Sequence, residues 1–447
     1  MTPLTPVRRI ACTLGALCVA LAACAGGDDA VDTVADSVAR DSTSTGLATT
    51  GSSEGTVAMT VVETPAVTFP AITSPAITSP AVTSPETTPP TTAPLTASTT
   101  APAVEASYDF TAVGPIVDSF VTERGLDGAG LVIVERDRGI VHEQYWGEFA
   151  ADRVSLIASS SKMLTAGVLL RLADQGLLDL DAPVADVVDW GAGNPDVTPA
   201  QLVSNSSGLV GLLDDVGYGP YLCQFLAAGT LQACAERVFT TPDDDADVSP
   251  SDTRFRYGGA QWQVAGAVAE VAAGTSWAEL IDETYVRPCG VDSLGYNNHF
   301  AQLPGRGFAY PDGFDDGPSV LSATDNPNME GGAFIDPPDY AALLLMHLRD
   351  GRCGDVQVLS EAAVERMHED RIGEVYGGST YTGSGYGMGW WVDDTRITDP
   401  GAYGSVPWLD LDGGYGAYLV IEADAATGNE LASKLFGPVD TAFARAG

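Results

Sequence analysis

Apolar residues beyond residue 107 recur in spacings that predict both helices and strands. Residues 159–175 are apolar on nearly every helical face, which predicts a buried helix that ends at Gly176. Two shorter apolar runs, at 130–134 and 140–145, flank the turn-forming residues 137–139 and predict a β-hairpin.

The remaining apolar patterns place helices in the middle of this region and strands near its end. Helices are predicted at 108–124, 261–273, 277–286, 338–349, 360–369 and 431–445, and strands at 387–392, 403–409 and 417–422. Because strands lie at both ends with helices between them, we predict an α/β (α+β) fold. An antiparallel sheet built from both termini would be flanked by helices and would carry a helical insertion subdomain.

The beginning of the chain is predicted to be an export signal. Arg8 and Arg9 precede an apolar run over 10–23, which is too short to span a bilayer comfortably and is typical of a secretory signal. The run ends at Cys24 in Leu-Ala-Ala-Cys, which resembles the lipobox of bacterial lipoproteins. The resemblance implies that residues 1–23 are removed and that Cys24 is acylated. The alternative is an ordinary signal peptide with a chance cysteine.

Residues 24–106 are rich in Thr, Ser, Pro, Ala and Val, with proline-led five-residue units between 65 and 85. A proline every fifth residue interrupts helix and sheet hydrogen bonding, so this segment is predicted to be an extended, disordered tether. The folded domain is then predicted to span 107–447.

The overall charge excludes one large class of partners. Among 447 residues, 60 are acidic and 21 basic, for a net charge of −39. Such a surface repels phosphate, so we expect no nucleic acid partner. The hydrophobic share of 45% nevertheless indicates a globular protein with a core.

Four cysteines lie in the predicted domain: Cys223, Cys234, Cys289 and Cys353. An even number in an exported domain favours disulfides. Cys223 with Cys234 is the most local pairing and would leave Cys289 with Cys353. All three pairings remain possible, and buried free thiols are the alternative.

The clearest candidate chemistry is a Ser-x-x-Lys motif, Ser159 to Lys162, at the start of the predicted buried helix. A spacing of three residues puts the hydroxyl and the amine about one turn apart on one helix face. The chain contains only two lysines, Lys162 and Lys434, and otherwise uses arginine. A buried lysine can lose its proton near neutral pH, whereas arginine cannot. The alternative is a serine-rich helix start followed by a chance lysine.

Further segments extend this motif into a family pattern. They are 154–184 around the Ser-x-x-Lys motif, Thr198 to Leu209, Phe255-Arg256-Tyr257-Gly258-Gly259, Met329-Glu330-Gly331-Gly332 and Tyr386 to Trp391. Together they resemble the serine β-lactamase and penicillin-binding-protein superfamily, most closely its class C β-lactamase and esterase branch, over most of residues 108–445.

The resemblance implies a β-lactamase-like fold and an acyl-transfer site without a cofactor or metal. Ser159 would be the nucleophile, Lys162 the neighbouring base or proton shuttle, and Tyr257 the second base. The backbone N–H groups of Ser159 and Ser405 would form the oxyanion hole. The substrate pocket would include Asn205, Gly259, Tyr403 and Gly404.

Three departures from the family pattern bear on the substrate. Asn205 stands where a His is usual, Gly259 replaces the Asn of the Tyr-x-Asn motif, and the third motif falls on Ala402-Tyr403-Gly404 without its cation. That cation normally helps to hold a substrate carboxylate. The expected activity is therefore an exported serine hydrolase acting on esters or unusual amides rather than on β-lactams. The alternatives are a non-catalytic surface binding protein with this fold, or a cell-wall D,D-peptidase or β-lactamase.

The expected partners are a small ester or amide, or a peptidoglycan-derived substrate, and a membrane. Acyl chains on Cys24 would hold the protein on the outer side of the cytoplasmic membrane. The oligomeric state does not follow from the sequence.

The acidic run 243–247 is interpreted as a solvated loop rather than a calcium site, because the ligand spacing and turn glycine of calcium loops are missing. The four histidines are interpreted as surface or satisfied core residues.

Overall fold

A seven-stranded antiparallel sheet carries the architecture. The computed structural model describes residues 107–215, 217–241, 246–305, 308–315, 317–376, 380 and 382–446. The strands are β1 (Gly128–Glu135), β2 (Gly139–Gly147), β3 (Ser155–Leu156), β4 (Gly295–Tyr296), β5 (Ala333–Ile335), β6 (Arg352–Cys353), β7 (Val356–Gln357), β8 (Gly385–Tyr386), β9 (Trp391–Asp393), β10 (Arg396–Thr398), β11 (Ser405–Asp410) and β12 (Tyr415–Val420). The main sheet has the order β2-β1-β12-β11-β10-β9-β8, so the first hairpin pairs with the last strands of the chain.

Helices cover both faces of this sheet. They are α1 (Val113–Arg124), α2 (Lys162–Asp174), α3 (Pro199–Val203), α4 (Leu231–Thr240), α5 (Ala260–Ala273), α6 (Trp277–Ile281), α7 (Arg287–Cys289), α8 (Pro337–Leu348), α9 (Glu361–His368), α10 (Arg371–Tyr376) and α11 (Ala425–Ala446). On one face α1 and α11 pack together, and on the other α8 packs against β1 and β12. Apolar side chains therefore form separate cores on the two sides of the sheet.

The predicted sheet of both termini with a helical insertion is confirmed. β1 and β2 form the expected hairpin, and β1 also pairs antiparallel with β12, with Leu131 opposite Leu419. The alternating side chains of β1 are buried on both faces, which explains its continuous apolar run. Helices α2, α4 and α5 lie in the sequence between the first hairpin, β1–β2, and the closing strands β8–β12. They form the insertion that carries the candidate site.

Several predicted boundaries are wrong for local reasons. Helix α1 begins at Val113 rather than at residue 108. The predicted strand at 387–392 is replaced by β8, a turn and β9. Gly389 has a φ of 86°, and a Cβ there would lie 2.7 Å from the Cα of Met163. The turn thus brings this segment against the start of α2 at a place where no side chain fits.

The four cysteines form two disulfides, in the arrangement that begins with the most local predicted pairing. Cys223 is bonded to Cys234 across 11 residues, and Cys289 to Cys353 across 64. The chain-entropy relation gives about 3 and 4 kcal/mol of stabilisation for loops of these lengths. The longer bridge joins the end of α7 to β6, which pairs with β7 in a small hairpin outside the main sheet.

The predicted signal peptide, Cys24 and the tether over 24–106 lie outside the described residues. No helix in the described ranges combines the length and hydrophobicity needed to cross a bilayer.

Candidate active site

Ser159 lies in a strained turn at the start of the buried helix. Residues Ala158–Ser161 form one turn of 3₁₀ helix, and α2 continues from Lys162. Ala158 has a φ of 45°, a left-handed conformation that costs energy for a residue with a Cβ. Ser159 is partly exposed, whereas Ser160, Ser161 and Lys162 are buried. The turn therefore presents one of three consecutive hydroxyls to solvent.

Neighbouring elements hold this turn rigidly. Ser160 Oγ donates to the carbonyl of Asp399 at 2.6 Å, and Ser161 Oγ donates to the carbonyl of Ala158 at 2.6 Å. The Asp399 carboxylate accepts the Met163 backbone N–H at 3.1 Å. Because a carboxylate at a helix N-terminus binds unpaired N–H groups, Asp399 also caps α2.

Lys162 joins the nucleophile to an acidic partner. Its Nζ lies 3.0 Å from Ser159 Oγ and 3.1 Å from Glu330 Oε2, and it also donates to the Glu330 carbonyl at 3.2 Å. The Lys162 side chain has no exposed surface. The predicted Ser159–Lys162 pair is thus assembled, and its amine is shielded from water.

Tyr257 completes the predicted trio. Lys162 Nζ lies 4.6 Å from the centre of the Tyr257 ring, which stacks on Trp391 with 5.4 Å between ring centres. Phe255 and Tyr386 extend the same aromatic cluster beside the site. Tyr257 is therefore held next to the nucleophile and the amine by ring packing.

Burial and charge set the proton positions. Burial alone would lower the pKa of Lys162, but interactions with Tyr257, Glu330 and Asp399 hold that pKa above its ordinary value. Burial raises the pKa of Tyr257, and the positive charge of Lys162 offsets only part of that rise. At neutral pH the resting site therefore holds a protonated Lys162 and a neutral phenol.

The third-motif residues lie in the turn before β11 rather than on the strand. Tyr403 is buried, and its hydroxyl lies 2.7 Å from His299 Nε2. Gly404 has a φ of 79°, which favours glycine. Ser405 begins β11 and donates from Oγ to Ser160 Oγ at 2.9 Å. This turn and the nucleophile turn are therefore adjacent.

Asn205, which the resemblance places at the pocket, serves instead as a buried connector. Its side chain has no exposed surface, and its Oδ1 accepts hydrogen bonds from Gln261 at 2.8 Å and Trp262 at 3.0 Å. Its carbonyl accepts the Arg256 backbone N–H at 2.9 Å. Asn205 therefore ties the loop of Tyr257 to the start of α5, where it has no surface to offer a substrate.

Glu330 is the site residue that the sequence pattern does not single out. A Cβ placed on Gly259 would lie 2.1 Å from Glu330 Oε1, so the carboxylate fills the space that a side chain at 259 would need. This explains how the site accommodates the glycine in the second motif. A carboxylate directly before Gly331-Gly332, inside a family landmark, is the signal that could have identified it.

The histidines only partly match their interpretation as satisfied groups. His347 Nδ1 and His368 Nε2 lie 3.0 Å apart, and burial lowers the pKa of both rings. His299 Nδ1 and His347 Nε2 have no hydrogen-bond partner among the described residues. Within the same part of the chain, no group of three or more His, Cys, Asp or Glu side chains is placed to hold a metal ion.

Comparison with known proteins identifies the family of this chain. The profile of the family described as Beta-lactamase matches residues 114–446, which is more than half of the chain. Penicillin-binding protein 4 of Amycolatopsis lactamdurans is 28% identical over 306 residues, covering 62% of this chain and 74% of that protein. Esterase/beta-lactamase LipL of Mycobacterium tuberculosis is 34% identical over 87 residues, which cover 19% of this chain and 20% of that protein.

Solved structures share the fold. EstCE1, a hydrolase with promiscuous acyltransferase activity, superposes with a TM-score of 0.59 at 20% identity, covering 73% of this chain and 97% of that one. The octameric penicillin-binding protein homologue from Pyrococcus abyssi gives a TM-score of 0.56 at 20% identity, covering 73% and 77%. At these identities the likeness establishes the fold alone.

Proposed function

This chain belongs to the beta-lactamase family of the serine β-lactamase and penicillin-binding-protein superfamily, and from that premise we propose that it is a serine hydrolase acting by acyl transfer on esters or unusual amides. The observation that carries the proposal is the 3.0 Å contact between Ser159 Oγ and a fully buried Lys162 Nζ, with Tyr257 beside them. A partly exposed hydroxyl next to a shielded amine is the arrangement that nucleophilic catalysis needs.

The chemistry divides into two halves. Once the Lys162–Tyr257 pair has given up one of its own protons, Ser159 Oγ attacks the substrate carbonyl as its proton leaves to the pair, and the same proton is returned to the departing alcohol or amine. Water then hydrolyses the acyl-enzyme and regenerates Ser159. We assign the backbone N–H groups of Ser159 and Ser405 to the oxyanion, because the turns that carry them are adjacent and preorganised donors stabilise the charge that develops there.

The charges of the site favour neutral substrates. The positive charge of Lys162 is already paired with Glu330. Arg256, although close in sequence to Tyr257, is bound to Asp214 and to the carbonyl of Gly208. A substrate carboxylate would therefore meet no ready partner at the third motif, where Ala402 stands. A short-chain ester has no such carboxylate, so the missing cation does not weaken its binding.

Restoring a cation at the third motif should shift this preference. Ala402 is partly exposed. We expect Ala402→Lys to raise the acylation rate with nitrocefin, relative to that with a nitrophenyl ester, by about tenfold, the size of one hydrogen bond to a charged group. The measurement is the ratio of second-order rate constants for the two substrates.

The matched control adds the same charge elsewhere. Val271 is 44% exposed near the end of α5, about 18 Å along that helix from Gly259 by the rise per residue. Val271→Lys should leave the ratio unchanged. Equal ratios for both lysine variants would count against a missing carboxylate partner as the basis of the substrate preference.

A second candidate function is a D,D-peptidase acting on peptidoglycan-derived peptides, which the likeness to a penicillin-binding protein supports. Release of D-alanine from a muropeptide, lost in Ser159→Ala, would identify it. A non-catalytic binding protein with this fold would bind substrate and produce neither acyl-enzyme nor product.

We also propose that the protein is exported and held on the outer face of the cytoplasmic membrane through acylated Cys24. The lipobox-like residues 21–24 support this. Two or more acyl chains make anchoring stable. Cys24→Ser should move the protein from the membrane fraction to the soluble fraction and abolish incorporation of labelled palmitate. Cys18→Ser, inside the predicted signal, is the control and should change neither.

A further inference from the structure

Lys162 stands between two groups that can exchange protons with it. On one side Ser159 Oγ lies 3.0 Å from Nζ, and on the other Glu330 Oε2 lies 3.1 Å away. Glu330 is 6% exposed and Lys162 is completely buried. The three groups therefore form a continuous hydrogen-bonded chain from the nucleophile into the interior.

The segment that carries Glu330 is held in place by buried polar groups. Thr165 Oγ1 donates to the Met329 carbonyl at 2.8 Å, and Gln263 Oε1 accepts the Met329 N–H at 3.1 Å. Asn328 Oδ1 accepts the Gly331 N–H at 2.8 Å. Contacts from α2 and α5 thus hold Met329 on one side of Glu330, and the Asn328 side chain holds Gly331 on the other, so the backbone that carries Glu330 is fixed beside Lys162.

The far oxygen of Glu330 faces an acceptor that lacks a donor. Glu330 Oε1 and Gln224 Oε1 lie 2.1 and 2.3 Å from the position a Cβ on Gly259 would take, so both oxygens converge on one point. Gln224 is buried, and its Oε1 has no hydrogen-bond partner among the described residues. A hydrogen on the Glu330 carboxyl group would satisfy Gln224 Oε1, so an acceptor is in place for a proton that Glu330 takes up.

We propose, resting on the acyl-transfer function above, that Glu330 is the proton acceptor of Lys162 and thereby a positioning residue for Ser159. One proton moves from the Lys162 ammonium to the Glu330 carboxylate, which leaves an amine and a carboxylic acid. The amine then takes the proton of Ser159 as the Oγ–carbon bond forms. When the bond to the leaving group breaks, Lys162 returns that proton to the departing oxygen or nitrogen. In the hydrolytic half the Lys162 amine takes a proton from the attacking water and delivers it to Ser159 Oγ as the acyl bond breaks. Glu330 then returns the first proton to Lys162 and restores the ion pair.

With this relay, no proton has to leave the site for solvent before Lys162 can act as a base. The amine–acid pair has the same number of protons as the ion pair, and the energy difference between them shrinks where water is excluded. The other titratable groups that face the pair are Tyr257, Asp399 and Tyr403. Among the described hydrogen bonds, Lys162 Nζ donates to Glu330, whereas the Asp399 carboxyl accepts the Met163 backbone N–H. Burial raises the pKa of Tyr403, so its phenol keeps its own proton at neutral pH and cannot accept another.

The decisive test is the pH dependence of Ser159 labelling by a neutral fluorophosphonate in the full-length protein. We expect the wild type to react with a rate that is level around neutral pH. Glu330→Gln should react about 10- to 100-fold more slowly at pH 7, with a rate that climbs as pH rises, because Lys162 must now lose its proton to solvent.

A shift of the pH dependence in the opposite direction would contradict the relay. Glu330 raises the pKa of both Lys162 and Tyr257. If it acted through this charge alone, Glu330→Gln would lower both pKa values, and the rise in rate would move to lower pH. That result, or no change in the rate, contradicts the proposal. A wild type that is not labelled at Ser159 refutes the proposed function instead, and the relay falls with it.

Two further variants distinguish proton acceptance by Glu330 from a purely structural role of its side chain. Glu330→Asp keeps the acid and should retain a level profile at reduced rate. In Gly259→Asn/Glu330→Ala an amide enters the space that the carboxylate leaves, so this protein should fold and hold Lys162 but show the climbing profile of Glu330→Gln. A level profile in the double variant would refute the relay.

Discussion

Ser159→Ala is expected to reduce turnover of a short-chain nitrophenyl ester by about 10,000-fold or more and to abolish covalent labelling by a fluorophosphonate. The hydroxyl is partly exposed and contacts Lys162, so its loss removes the nucleophile and leaves the packing of the turn intact. Peptide mass spectrometry of the labelled wild type should place the adduct on Ser159. The melting temperature of the variant should match that of the wild type.

The neighbouring serines provide matched controls. Ser160 and Ser161 are buried, and each donates its hydroxyl to a backbone carbonyl. Ser160→Ala and Ser161→Ala should each lower the free energy of unfolding by about 1 kcal/mol, while the adduct remains on Ser159. Ester turnover that survives in Ser159→Ala would contradict Ser159 as the nucleophile, whereas a wild type that gives neither adduct nor product would favour the non-catalytic alternative.

Local features of the fold were predictable because their causes are local. The apolar runs around residues 137–139 form the hairpin β1–β2, since alternating burial and a turn need only neighbouring residues. Ser360 begins α9 by accepting the Ala363 N–H, as its position before an amphipathic segment indicates. The spacing of Ser159 and Lys162 likewise fixes their proximity through one helical turn.

Features that arise from tertiary contacts were not predictable. Glu330 reaches Lys162 across 168 residues, and Gly259 is tolerated because of that approach. The turn at Gly389 breaks a predicted strand because the backbone of α2 passes beside it. Asn205 shares its motif position with pocket residues of the family, yet its left-handed φ of 56° and its contacts turn it into the core. Each of these features depends on contacts between segments that are far apart in the sequence.

The two lysines of the chain invite a direct comparison of buried and exposed ion pairs. Lys162 Nζ lies 3.1 Å from Glu330 with neither side chain more than 8% exposed, whereas Lys434 Nζ lies 3.5 Å from Glu430 with side chains 48% and 34% exposed. Lys162→Met leaves a buried carboxylate without its partner, which we expect to lower the free energy of unfolding by about 3–5 kcal/mol. Lys434→Met should change it by about 0.5 kcal/mol or less. Urea denaturation of both variants measures the contrast.

Removing both members of the buried pair should reverse the loss of stability but not the loss of activity. Lys162→Met/Glu330→Gln contains no unpaired buried charge, and replacing both partners of such a pair is often nearly neutral. The double variant should therefore recover most of the free energy of unfolding lost in Lys162→Met. Ester turnover should stay about 1,000-fold or more below the wild type, since methionine cannot carry the proton of Ser159. A double variant as unstable as Lys162→Met would show that the lysine stabilises the fold by packing rather than by neutralising Glu330.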